Sequence, residues 1–199
     1  MTQTPRRYDQ QRRASSAAET RRRIVEATFE LHAEQGVLAT TMKQIAARAG
    51  VGVGSVYHHF PTYEDAVEAC GQHARVLMPV PSEAALAGAT TRAERIRAFV
   101  AAVFDLWSQA RGLERIRAER DEVGPVRTYF DEMNQGLTRL AAQALGPGAT
   151  AMEAEMVVAL CDLSVLQALT RAGLSRDAAT DRIAEVINGW LAAGRSSPS

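Results

Sequence analysis

The stretch Thr41–Phe60, TMKQIAARAGVGVGSVYHHF, decides how the rest of the chain is read. Ile45, Ala46 and Ala49 recur on one side of a short helix, Gly50 interrupts it, Val51 fills the corner, and Val56 and Phe60 line a second helix. A corner this tight needs a residue at positive φ, which glycine adopts without a Cβ clash, and the small Ala46 lets two helices cross closely. The pattern is that of a helix-turn-helix. Other tight helical corners share it, so its meaning rests on what surrounds it.

Upstream, Ile24, Thr28 and Leu31 form one stripe with Val25 and Phe29 beside it, which predicts a helix over 17–35 closed by Gly36. Thr41 is a good N-cap for a second helix over 42–49, and a third follows at 53–60. These three make a compact module over 17–62. Residues 1–16 are polar, arginine-rich and aperiodic, and are read as a disordered basic arm. Its Arg6, Arg7, Arg12 and Arg13 either reach a neighbouring minor groove or only solubilise the chain. A fourth, connecting helix spans 63–80, where Tyr63, Val67, Cys70, Ala74 and Leu77 form a seam.

Pro79 and Pro81 mark a boundary, and a larger domain is expected over 81–199. Thr91 with Glu94, and Thr150 with Glu153, have capping-box spacing. Ile96, Phe99, Val100, Val103 and Trp107 stripe one helix; Val126, Phe130, Met133, Leu137 and Leu140 stripe another. The segment 151–172 is apolar nearly all round, which predicts one helix covered on both sides. A last helix is expected over 176–193, followed by a frayed RSSPS tail, and a second copy of the chain is the expected cover for these two helices. No alternating strand pattern is present, so the expected fold is all-α.

Composition narrows the function. The 199 residues are 46% hydrophobic and 6% aromatic, enough for a sizeable core in a soluble chain. The formal net charge is zero, yet residues 1–60 carry nine Lys or Arg against five Asp or Glu, a net of +4 that leaves −4 for the remainder. Positive charge concentrated around the motif suits phosphate. Cys70 and Cys161 stand far apart without metal-ligand spacing, which points to a reduced, cytoplasmic protein. Neither a signal peptide nor a membrane span is indicated. Cys70 with His73 is an isolated i, i+3 pair, so no metal and no cofactor are expected. Nucleophile elbow, phosphate loop and paired-carboxylate motifs are missing, so an enzyme is not expected.

Ile24, Phe29, Gly36, Thr40-Thr41, then IAARAGVGVGSVYHHF and TYEDAV together resemble the TetR family of one-component transcriptional regulators, over about residues 20–68. The resemblance implies an N-terminal three-helix DNA-binding module followed by a larger helical domain for ligand binding and dimerisation. It implies DNA contacts from Thr41 and Lys43 on the second helix and from Val53, Gly54, Ser55, Tyr57, His58 and His59 on the third. Tyr57 and His59 match positions that touch phosphate, while Val53 could meet a thymine methyl and Ser55 a base edge. The recognition helix has no Arg, Asn or Gln for a bidentate base contact, so specificity leans on Lys43, the arm or DNA shape. Where the family usually has lysine, this chain has Tyr63. Either a phosphate contact is lost, or the hydroxyl replaces it, or Tyr63 belongs to the seam of the fourth helix.

The same resemblance implies a small-molecule effector in the larger domain. Phe104, Trp107, Tyr129, Met133 and Leu166 would wall its pocket, with Asp162 and Gln167 as polar groups. Asp162 contacts a ligand, pairs with Arg171 or Arg182, or faces water. The implied mechanism is a homodimer, joined through 151–172 and 176–193, that represses from a palindromic double-stranded operator until the effector releases it. A protein-interaction scaffold without DNA binding, or a helical enzyme, are the alternatives.

Overall fold

The structure, a computed structural model, describes residues 4–109 and 112–194, with side chains from Ala14 onward. The arginines of the expected arm up to Arg13 and the tail 195–199 therefore lie outside the described side chains. Ten α-helices account for the fold among the described residues: α1 (Thr4–Gln35), α2 (Met42–Ala49), α3 (Val53–His59), α4 (Tyr63–Leu77), α5 (Arg92–Gln109), α6 (Leu113–Ala118), α7 (Gly124–Leu145), α8 (Ala151–Leu160), α9 (Leu163–Arg171) and α10 (Arg176–Gly194). A short 3-10 helix at Glu83–Leu86 precedes α5, and no strand is present among the described residues.

The helices gather into two compact units. The first is Met1–Leu77 with Gly112–Tyr129, and the second is Met78–Arg111 with Phe130–Ser199. The crossing at Leu77 falls close to the expected boundary. The return of residues 112–129 was not expected, because nothing in α6 marks which unit its apolar residues Leu113 and Ile116 join. The N-terminus also differs from expectation: from Thr4 the chain is helical and continuous with α1. Its residues explain this. Between Gln10 and Arg23 there is neither glycine nor proline, and Gln, Arg, Ala and Glu propagate a helix well. Pro5 sits in the first turn, where no intrahelical donor is required. Arg22 pairs with Glu19 and Glu26 one turn away on either side.

In the first unit, Ile24, Val25, Ala27 and Leu31 of α1 meet Ile45, Ala46 and Ala49 of α2, Val56 of α3 and Ala66 and Ala69 of α4 in one buried core, closed by Phe60. His32 is buried in the same unit and is fully engaged. The Val37 carbonyl can only accept, and Tyr63 Oη donates to it at 2.6 Å. Tyr63 Oη therefore accepts from His32 Nε2 at 3.0 Å, which leaves His32 Nδ1 as the acceptor facing Cys70 Sγ at 3.5 Å. A neutral imidazole satisfies this relay; an imidazolium would present a donor to a thiol. Burial pushes the imidazole down to about 4 and the Cys70 thiol up to about 12.

In the second unit α5 packs along α10, burying Ile96, Phe99, Val100 and Val103 with Ile183 and Ile187. The apolar run expected as one helix over 151–172 is two. Asp162 separates α8 from α9, its Oδ1 accepting from the Ser164 N–H at 2.9 Å as the N-cap of α9. A short carboxylate competes with the helical ladder for nearby N–H groups, so it favours a cap over a helix interior. The Cys161 carbonyl beside the break accepts from Trp107 Nε1 at 2.8 Å. Thr41, Thr91 and Thr150 each carry their capping boxes, with Gln44, Glu94 and Glu153 as reciprocal partners.

His32 makes stability depend on pH. An unfolded imidazole titrates near ~6.5. The folded chain binds that proton less readily, so the stability carried by neutral His32 is present above about pH 6.5 and is lost as pH falls toward 4, by on the order of 3 kcal/mol in full. Thermal melts between pH 7 and 4 should fall more steeply for the wild type than for His32→Gln; parallel slopes would exclude His32 as the titrating group.

Candidate nucleic-acid interface

Helix α2 is only eight residues long, and both of its ends are tied down. At the start, the Thr41 hydroxyl accepts from the Gln44 N–H while Gln44 Oε1 accepts from the Thr41 N–H at 2.9 Å. At the end, Gly50 takes φ 65°, its N–H bonds the Ala47 carbonyl at 3.2 Å, and the Val51 N–H bonds the Ala46 carbonyl at 3.0 Å. This is a Schellman closure, and the left-handed residue it needs is the glycine of the sequence motif. Arg23 of α1 donates to the carbonyls of Ala49 and Gly50, so the last orphan acceptors of α2 are met by a side chain from the core helix. Lys43, in the first turn of α2, is exposed.

Helix α3 buries Val56 completely and turns the opposite face outward. Val53, Gly54, Tyr57 and His58 are exposed, Ser55 and His59 half-buried. Val53 and Tyr57 stand one turn apart, 42% and 51% exposed, an apolar and aromatic surface that the unit itself leaves uncovered. Gly54 and Gly52 have ordinary φ values, and a Cβ at either would meet nothing within 4 Å. The fold therefore places no demand for glycine at these positions.

The charge on this surface is selective. Arg48 forks onto Glu34 at 2.7 Å and Glu30 at 3.2 Å, and Arg22 is taken up by Glu19 and Glu26. Arg21, by contrast, lies over the Phe60 ring at 5.0 Å, and its charge reaches His59. His59 is held below the usual imidazole range by burial first, then by His58 and Arg21. Its ring meets that of His58 edge-on at 5.4 Å. A cluster of positive and protonatable groups at the end of an exposed helix suits a phosphate backbone.

Residues 24–70 match the family described as "Bacterial regulatory proteins, tetR family". The match spans the helix-turn-helix module and the start of α4. Over 47 residues, 24% of this chain and 22% of the relative, it is 51% identical to the HTH-type transcriptional regulator SrpR of Pseudomonas putida. The chain thus matches under a quarter of that relative's length. The fold likeness extends further. NalD of Pseudomonas aeruginosa, the secondary repressor of the MexAB-OprM multidrug efflux pump, aligns with a TM-score of 0.62 at 20% identity over 87% of this chain and 95% of that one. FadR of Bacillus subtilis, solved with stearoyl-CoA, aligns with a TM-score of 0.60 at 18% identity over 83% and 96%. At these identities the likeness is one of fold.

Within this module, the structure places all eight residues expected to contact DNA on α2, its cap and α3, with Thr41 engaged in the cap. Arg21, which the sequence does not single out, lies beside Phe60 at this surface, a place that depends on how α1 crosses the module. Tyr63 is also settled: its hydroxyl is committed inward to Val37 and His32, which identifies it as part of the seam. Of the residues expected around an effector, Phe104, Trp107, Met133 and Leu166 are buried in the second unit, with Asp162 and Gln167 half-buried there. Tyr129 belongs to the first unit, where it lines a cavity of about 40 Å³ with His32, Val67, Cys70, Ala74 and Val126. The Asp162 cap accounts for a carboxylate in so apolar a run.

Two substitutions separate reading from folding. Gly54→Ala should stabilise the chain by about 0.5 to 1 kcal/mol, since it removes helix entropy cost without a clash. It should weaken duplex binding about tenfold or more through lost close approach. Improved binding alongside improved stability would argue against this face. Lys43 is the chain's only lysine. Lys43→Ala should lower the slope of log affinity against log salt by about 1, measured by fluorescence anisotropy.

Proposed function

We propose that the chain is a ligand-responsive transcriptional regulator that represses from a palindromic operator as a homodimer. The observation that carries this reading is the outer face of α3. Val53, Gly54 and Tyr57 are exposed there, with two glycines the fold does not require, at the position where a TetR-family module presents its recognition helix. The N-terminal turn of α3 enters the major groove, Val53 and Ser55 meet base edges, and Lys43, Tyr57, His58, His59 and Arg21 hold phosphates.

Dimerisation through α8 and α10 is supported by what those helices leave uncovered. Met152, Met156 and Ala159 stripe α8, and Val186, Gly189 and Ala193 stripe α10; Met152 is 63% and Val186 48% exposed. Small and apolar side chains at i, i+4, i+7 and i, i+3, i+7 suit helix-on-helix packing between copies. A two-fold dimer places two α3 helices in successive major grooves, about 34 to 36 Å apart. The second unit takes the effector, with Phe104, Trp107, Met133 and Leu166 supplying apolar walls. NalD and FadR, whose folds resemble this one, are respectively a repressor of an efflux pump and a regulator that holds an acyl-CoA, which supports an apolar effector here.

Selection from a random duplex library should enrich an inverted repeat with half-sites one helical turn apart; enrichment of no sequence would overturn the reading. Val186→Glu puts an uncompensated charge into the proposed interface. By sedimentation it should run as a monomer where the wild type runs as a dimer, and it should lose the selected duplex. A dimeric Val186→Glu would move the interface elsewhere.

A further inference from the structure

The turn that leads into α2 is held by groups remote from it in sequence. Residues 36–41 connect α1 to α2, and Val37, the second of them, is fully buried. Its carbonyl accepts from Tyr63 Oη on α4 at 2.6 Å and from the Thr40 N–H at 3.1 Å. Its N–H donates to Glu119 Oε2 at 2.6 Å, and the Leu38 N–H reaches the same oxygen at 3.2 Å. Glu119 is the residue that closes α6. From the same helix Arg115 donates to the Glu34 carbonyl in the last turn of α1. Approach this close is possible only with two glycines in the left-handed region. A Cβ on Gly36 (φ 92°) would collide with the Glu119 carboxylate, and one on Gly112 (φ 75°) with the Ala33 backbone.

We infer that Glu119 is a positioning residue for DNA reading: its carboxylate grips the N–H groups of Val37 and Leu38 while Tyr63 grips the Val37 carbonyl, and together they set where α2 starts. This rests on the proposal that the module reads DNA. The Thr41 cap and Lys43 follow four and six residues after Val37, so a turn released from Glu119 lets the start of α2 shift without unfolding the core. Neither gripping side chain needs to touch the duplex. Residues 112–129 are joined at both ends to stretches of the second unit, so Glu119 also gives that stretch of chain direct purchase on the turn ahead of α2.

The test uses the full chain and the duplex that the wild type selects from a random library. In Glu119→Ala the Val37 amide should exchange with solvent about tenfold faster or more, the size expected for losing a bond to a charged acceptor. Affinity for the selected duplex should fall by about the same factor. Binding to an unrelated duplex of equal length, which rests on phosphate charge, should change by less than about twofold. Glu119→Gln keeps one acceptor oxygen and should fall between the two, and it carries the test if the alanine variant fails to fold. A Val37 amide as protected as in the wild type overturns the inference, as does a released amide with undiminished affinity for the selected duplex. If the wild type selects no sequence, the DNA-reading proposal fails and the positioning role with it. Val37 exchange still reports whether the grip exists, so the two failures are told apart.

Discussion

Val37 is buried without residue of exposure, and burial obliges both its N–H and its carbonyl to find partners. The chain meets that obligation with a carboxylate from α6 and a phenol from α4. Those two bonds join three segments far apart in sequence at the one turn from which α2 departs. The phenol in turn accepts from the Nε2–H of His32, whose Nδ1 is then left to accept from the Cys70 thiol. A single peptide position thus fixes the tautomer of a histidine, the orientation of a tyrosine and the docking of a six-residue helix.

Rigidity at that turn matters because α2 and α3 are too short to hold themselves. Helices of eight and seven residues lie below the length at which an isolated helix persists in water. What keeps them formed is external: the Thr41 box, the Gly50 closure, Arg23 on the last carbonyls, and the buried Ile45 and Val56. The outer face of α3 takes no part in this. It stays exposed, with Val53, Tyr57 and bare Gly54 uncovered, which is the surface the proposed function assigns to the groove.

Legibility in the sequence followed the range of the interaction. Local features were readable: positive φ at Gly50, the Thr41, Thr91 and Thr150 caps, and the stripes of α5 and α7 all follow from spacings of a few residues. Where a local preference competed with a pattern, the pattern misled. The apolar run over 151–172 read as one helix, yet the capping preference of Asp162 divides it. The arginine-rich start read as an arm, yet its helix-forming residues continue α1 back to Thr4. Long-range contacts left no trace at all. Nothing about Glu119 in RAERDEV marks it as the partner of a turn eighty residues earlier, and Tyr63 gained a definite role only when its hydroxyl was seen to meet Val37.

These features converge on one claim, that the outer face of α3 reads DNA because the braced turn fixes the helices behind it. The most direct measurement is a crystal structure of the dimer on its selected duplex. The account predicts α3 in the major groove with the Gly54 backbone in van der Waals contact with a base edge and the Glu119 carboxylate still bonded to the Val37 N–H. A complex in which α3 faces away from the duplex, or in which the turn has left Glu119 while the bases are read, would contradict it.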